Sequence, residues 1–316
     1  MKPKEILYLL GFKPKQKIFG YSVNHFDLSS DGPVDYAQWL HPGETKKVLT
    51  QSSVDELRRF LKAGDVAIDI GAHTGDTSIP MALAVGKSGC VLALEPNSYV
   101  FEVLKKNCEL NPEKTNIVPL NFAATSIDGN FVFEYSDSGF CNGGFHEGIS
   151  KWIHGHAFLL DVEGKNLHNF LQREYSDMIP RIRYIKIDAE GYDFTILQSL
   201  RGLLSECRPF VKAEVFKRTG RELRIKMYQF LRKLEYEIYR VENESKYRGN
   251  PLREKDLTKW RHYDIFCVPA EVSPKNEVAT ESTSILYLEY DNEILRFVVV
   301  HNLSCLCRCA DSRWLD

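Results

Sequence analysis

The stretch Val66-Ala-Ile-Asp-Ile-Gly-Ala-His-Thr-Gly75 constrains this chain more than any other, because an apolar run of strand length leads into a turn punctuated by two glycines. Strand, tight turn and helix in that order make the entrance to a βαβ unit. Gly71 and Gly75 let the main chain approach a ligand closely, and the Asp69 carboxylate is expected at the strand end, facing the crevice. A second apolar run, Val91 to Leu94, ends in Glu95, twenty residues beyond Gly75. An acidic residue at that offset is placed to hold a ribose diol. The spacing Asp69-x-Gly71-x-x-x-Gly75 omits a glycine of the dinucleotide fingerprint G-x-G-x-x-G, so a nicotinamide-dependent oxidoreductase ranks as a lesser alternative.

Around this turn the pattern alternates: strand 66–70, helix about 75–85, strand 90–94, helix about 98–109 and strand about 116–121. Ser53 followed by Glu56 reads as a capping box opening a helix that delivers the chain into the first strand. Past Thr125 the rhythm breaks. Asp128-Gly129 predicts a hairpin between two short strands, and a glycine- and histidine-rich loop follows from Ser136 to about His156. Helix and strand signals resume at about 164–173, 184–188, 192–204 and 210–215, then an amphipathic helix carrying Leu223, Met227, Phe230, Leu231 and Leu234, and strands near 236–241 and 263–268. The polar stretch Glu242 to Lys259 reads as an exposed connection. The expected organisation is a β-rich aromatic cap over 1–52, an α/β domain over 53–270 with helices on both faces of a mostly parallel sheet, and a linker with a β-hairpin tail over 271–316.

The second informative stretch is Tyr184-Ile-Lys-Ile-Asp-Ala-Glu-Gly191. Side chains alternate across a strand, so Lys186, Asp188 and Glu190 share a face of an element that should be apolar on both sides. Three charges there are costly unless they pair with one another or with something bound, which makes this strand end a candidate active site.

Together, Asp69 to Gly75, Leu94-Glu-Pro-Asn97, Asn121-Phe-Ala-Ala124, Ile185 to Gly191, Arg208-Pro209 leading to Glu214, and Tyr263 to Pro269 resemble, in order and rough spacing, the FkbM-type S-adenosylmethionine-dependent methyltransferases of the class I, Rossmann-like kind. One departure is Tyr192-Asp193, where an alanine or tyrosine followed by glutamate is commoner. The resemblance implies a seven-stranded sheet, S-adenosyl-L-methionine as cofactor and O-methylation of a hydroxyl on a sugar or other small natural product. By resemblance, the loop of Asp69, Gly71, Ala72, His73, Thr74 and Gly75 wraps the methionine part, Glu95 with Pro96 and Asn97 takes the ribose, and Asn121 and Ala123 lie near the adenine.

Methyl transfer to an alcohol calls for a positioned base, since an alcohol is a poor nucleophile. Asp188 is the expected base, Glu190 the second choice and Lys186 an electrostatic or structural partner. Asn142, Gly143, Gly144 and Phe145 in the long loop are expected to close over the acceptor. No metal is expected: His146, His154 and His156 lack a completing ligand pattern, as do Cys305, Cys307 and Cys309. The alternative from another class is a methyltransferase-like binding module without turnover. The 316 residues carry 41 basic and 43 acidic side chains, so no global field favours nucleic acid. No apolar run is long enough to cross a bilayer, the first residues lack a small-residue cleavage site, and the cysteines are scattered, which together predict a cytoplasmic protein acting on a small-molecule or glycan hydroxyl acceptor.

Overall fold

Strands are numbered in chain order and helices are given by their residues. The computed structural model describes residues 15–135, 138–139, 141, 143–144 and 158–272, together with the backbone of 285–290 and 293–298. The chain enters through an antiparallel hairpin, β1 (Tyr21–Leu28) and β2 (Gly32–Trp39), and the helix Gln51–Arg58. It then runs through β3 (Val66–Ile70), β4 (Cys90–Leu94) and β5 (Ile117–Leu120), with the helices Ser78–Val85 and Ser98–Glu109 as crossovers. A smaller sheet follows, made of β6 (Ala123–Thr125), β7 (Gly129–Tyr135), β8 (Gly143–Gly144) and β9 (Phe158–Asn166). The main sheet is completed by β10 (Ile182–Ile187), β11 (Phe210–Val215), β12 (Tyr236–Arg240) and β13 (Tyr263–Pro269).

The seven main strands lie in the order β12-β13-β11-β10-β3-β4-β5. β11, β10, β3, β4 and β5 are parallel, and β13 runs antiparallel to both of its neighbours. This is the mostly parallel α/β sheet expected of the class I architecture. Every residue of β3 and β4 is buried, as strands covered on both faces require. The helix Ser78–Val85 is buried throughout, whereas Ser98–Glu109 buries only Val100, Val103, Leu104 and Asn107.

Asparagine side chains dock the hairpin onto the domain. Asn107 Nδ2 donates to the Ala37 carbonyl at 3.0 Å while its Oδ1 accepts from the Ala37 amide at 2.6 Å, and Asn111 treats Asp35 in the same way. Two amides thereby substitute for a strand along the edge of β2 and satisfy backbone groups that burial would otherwise leave unpaired. Tyr36 Oη lies 2.6 Å from Thr74 Oγ1, which fixes the hairpin to the glycine turn.

Three local expectations are corrected. The residues flanking Asp128-Gly129 do not pair with each other; β6 pairs parallel and β7 antiparallel with β9, which inserts between them. Thr50 caps the helix Gln51–Arg58, its side chain accepting from the Ser53 amide, and Glu56 is drawn instead into a buried bond from the Tyr247 amide at 2.7 Å. The stretch 242–259 is no exposed strap: Tyr247, Leu252 and Leu257 are buried, and the buried Arg224 donates to the carbonyls of Leu257, Trp260 and Arg261. Arg224 sits on the helix Arg221–Lys233 beside the buried Met227 and Leu231, while Leu223 is exposed.

The chain divides into two units, Met1–Ser273 and Pro274–Asp316. In the second, β14 (Ile285–Tyr290) and β15 (Glu293–Val298) form an antiparallel hairpin. Among the described residues no helix is long and apolar enough to cross a membrane.

Candidate active site

In the main sheet the order reverses between β3 and β10, since β3 leads on to β4 on one side and has β10 on the other. A crevice opens outside the carboxyl ends of strands at such a switch point. Backbone bonds stitch its floor. The Asp188 amide donates to the Ile70 carbonyl at 3.0 Å, and the Gly71 and Ala72 amides both donate to the Leu94 carbonyl. Gly71 has φ +76, and a Cβ there would sit 2.0 Å from the Asp188 carbonyl oxygen. Only glycine fits. Above this floor lies a cavity of about 930 Å³, a volume that suits a sizeable ligand.

Glu95 forms one wall. Its carboxylate is buried and accepts from the His73 amide at 2.9 Å and the Asn97 amide at 2.9 Å. Burial pushes its pKa up to about 7, against which those two bonds and Lys186 act. Asn97 also caps the helix Ser98–Glu109, its Oδ1 accepting from the Tyr99 amide at 3.0 Å, so one short turn positions the acid and starts the helix. His73 adopts φ +50, a conformation that non-glycine residues rarely take, and burial lowers its pKa against the opposing pull of Glu44 and Asp76.

Lys186 rises from the floor. Its ammonium lies 3.2 Å from Asp69 Oδ1 and 3.6 Å from Asp188 Oδ2, and donates to the Gly71 carbonyl at 3.2 Å. Burial works against the charge, but Asp69 and Asp188 more than offset it and raise the pKa above the ordinary lysine value. Asp188 is half-exposed, with 49% of its side-chain surface accessible. Glu190, at φ +50, has its pKa raised by burial and by Asp188. A positively charged anchor therefore lies behind one open carboxylate, with the Glu190 carboxyl two residues along the same strand end.

Of the residues expected at the site, Gly71, His73, Glu95, Pro96, Asn97, Ala123, Lys186, Asp188 and Glu190 line this one cavity. The Asp69 carboxylate does not face the crevice. It is fully buried, and its Oδ2 accepts from Thr77 Oγ1 at 2.7 Å and Ser78 Oγ at 2.6 Å, because a charge in the middle of a doubly covered sheet must be compensated where it stands. Ala72 and Thr74 are likewise buried, Gly75 packs against Leu104, and Asn121 lies past the end of β5 with its Nδ2 donating to the Glu95 carbonyl. These four support the wall without lining it. Asn142 and Phe145 lie outside the described residues, and Gly143–Gly144 pairs with Glu134 and Tyr135 of β7.

The cavity also has lining that the sequence reading missed: Glu44, Lys47, Lys212, Glu244, Tyr247 and Asp264. Lys212 repeats the Lys186 arrangement one strand over, buried in β11 with Glu244 Oε1 at 2.5 Å and Asp264 Oδ2 at 3.3 Å. The signal that exposed Lys186, a lysine in a strand expected to be apolar on both sides, was equally present at Lys212. Behind the site, Glu214 is buried with His262 Nε2 at 2.7 Å, yet burial and the neighbouring acids Asp188, Asp193 and Glu190 push its pKa up to about 9.

Residues 69–238 match the family model described as the methyltransferase FkbM domain. The chain is 30% identical over 131 residues to the ribosomal protein L11 methyltransferase of Thermotoga neapolitana, covering 42% of this chain and 46% of that protein. It is also 30% identical over 83 residues to a Saccharolobus solfataricus protein named "Probable cobalt-precorrin-6B C(15)-methyltransferase (decarboxylating)", covering 26% of this chain and 41% of that one. It thus spans less than half the length of either curated relative. Among solved structures, a methyltransferase FkbM from Methylobacillus flagellatus KT aligns with TM-score 0.42 and 14% identity, over 65% of this chain and 44% of that one. The matched segment runs from the aspartate at the end of β3 into β12 and so contains the glycine turn, Glu95 and the Lys186-Asp188-Glu190 strand end; the chain belongs to the FkbM methyltransferase family.

Proposed function

We propose that this methyltransferase transfers a methyl group from S-adenosylmethionine to a hydroxyl of a sugar or other small natural-product acceptor, with Asp188 as the base. The cofactor belongs to the family, and the residues fit it: the glycine turn at Gly71 and the buried carboxylate of Glu95, suited to a ribose diol, line the same cavity of about 930 Å³. The cofactor supplies, when bound, a methyl group already activated on a sulfonium.

What remains for the protein is to align an acceptor oxygen, remove its proton and keep water out. Asp188 is the half-exposed carboxylate of the cavity floor, held by Lys186 at 3.6 Å, and it can take the hydroxyl proton on a carboxylate oxygen. Glu190 orients a neighbouring group of the acceptor. Loss of turnover in Asp188→Ala, with S-adenosylhomocysteine affinity retained in calorimetric titration, tests the assignment. Turnover persisting in that variant would remove Asp188 from the role of base.

A further inference from the structure

The segment between β2 and the helix Gln51–Arg58 brings two opposite charges to the cavity, and it lies outside residues 69–238 of the family match. Glu44 is only 6% exposed in its side chain, and its buried Oε1 accepts no hydrogen bond. Lys47 Nζ lies 3.4 Å from that oxygen and 3.0 Å from Asp76 Oδ2. Both side chains line the same cavity as Gly71 and Glu95. His73 links the two walls: its amide donates to Glu95 at 2.9 Å, and its ring nitrogen Nε2 sits 3.7 Å from Glu44 Oε2. The glycine turn is therefore flanked on one side by the acid suited to a ribose and on the other by a carboxylate and an ammonium about one ion pair apart.

The Lys47 ammonium near this buried oxygen stands 3.4 Å off and is shared with Asp76, so the carboxylate can take a closer donor, and a ligand bearing N–H groups supplies one. An α-amino acid end carries one ammonium and one carboxylate, and the pair Glu44–Lys47 presents the complementary charges. We propose that Glu44 binds the ammonium and Lys47 the carboxylate of the amino-acid end of the cofactor, an inference that rests on the methyl-donor reading above. The N-terminal segment then completes the cofactor site.

The test is calorimetric titration of the full chain with S-adenosylhomocysteine and with 5′-methylthioadenosine, which keeps the adenosine and sulfur but lacks the amino-acid end. Glu44→Gln and Lys47→Met should each weaken S-adenosylhomocysteine about tenfold or more, the size expected for a lost charged hydrogen bond. Neither should change 5′-methylthioadenosine binding, which also reports that the variants are folded. Variants that keep wild-type affinity for S-adenosylhomocysteine, or that lose both ligands in equal proportion, would overturn the assignment. A wild-type protein that ignores S-adenosylhomocysteine would instead remove the methyl-donor reading on which it depends.

Discussion

Lys186 and Asp69 are a buried ion pair in the centre of the sheet, and removing one partner of such a pair costs more than removing both, because the survivor is left as an uncompensated charge. Lys186→Met should therefore lower unfolding stability by about 3–5 kcal/mol. Asp69→Asn combined with Lys186→Met should recover a large part of that loss, because Thr77 and Ser78 can still bond an amide oxygen. Urea denaturation of the two variants decides it, and a double variant no more stable than the single one would show that the ion pair is not what the lysine contributes. The same pair marks the limit of reading residues from spacing. Charges alternating along an apolar strand pointed to Lys186 and Asp188, whereas nothing in Asp69-x-Gly71 distinguishes a carboxylate turned to a ligand from one turned to its own helix.

The start of the helix Gln51–Arg58 shows the same ambiguity for an element. Ser53 and Glu56 have the spacing of a capping box, but Thr50 does the capping and Glu56 is held by the Tyr247 amide. Thr50→Ala should cost about 1 kcal/mol. Ser53→Ala should cost less, since the Ser53 hydroxyl only donates to the Thr50 carbonyl at 2.7 Å. Equal losses in thermal unfolding would restore Ser53 as the cap. Elements governed by their own periodicity were legible: β3, β4 and the helix Ser98–Glu109 follow from apolar runs and stripes. Elements whose partners are distant in sequence were not. β9 comes from beyond the long loop to separate β6 from β7, and Arg224 on the helix Arg221–Lys233 gathers carbonyls 33 to 37 residues away. The candidate site divides in the same way. Its strand-end residues carry local signatures, while Glu44, Glu244 and Asp264 reach the cavity only through tertiary packing.

For the molecule as a whole, three carboxyl groups at or behind the sheet edge tie stability to pH. Burial raises Glu95 from 4.5 to about 7, Asp193 from 3.8 to about 7 and Glu214 from 4.5 to about 9, with Asp188 adding to the last two. In each case the folded state holds the proton more tightly than the unfolded chain does. The resulting stability is fully present below about pH 4 and is lost as pH rises through the folded values. Each pKa unit is worth on the order of 1 kcal/mol, so the ligand-free protein should lose stability steadily between pH 5 and about 9. Glu214→Gln should remove the part of that decline lying above about pH 7. Cofactor affinity should run the other way, because ionised Glu95 is the better acceptor for ribose hydroxyls and its charge appears as pH rises through about 7. Stabilisation by a fixed excess of S-adenosylhomocysteine should accordingly be greater at pH 8 than at pH 6, and Glu95→Gln should flatten that difference. Melting temperatures measured across this range with and without the ligand separate the two trends. A ligand-free protein of constant stability would mean that these acids are not held protonated, and a pH-independent ligand effect would take Glu95 out of ribose binding.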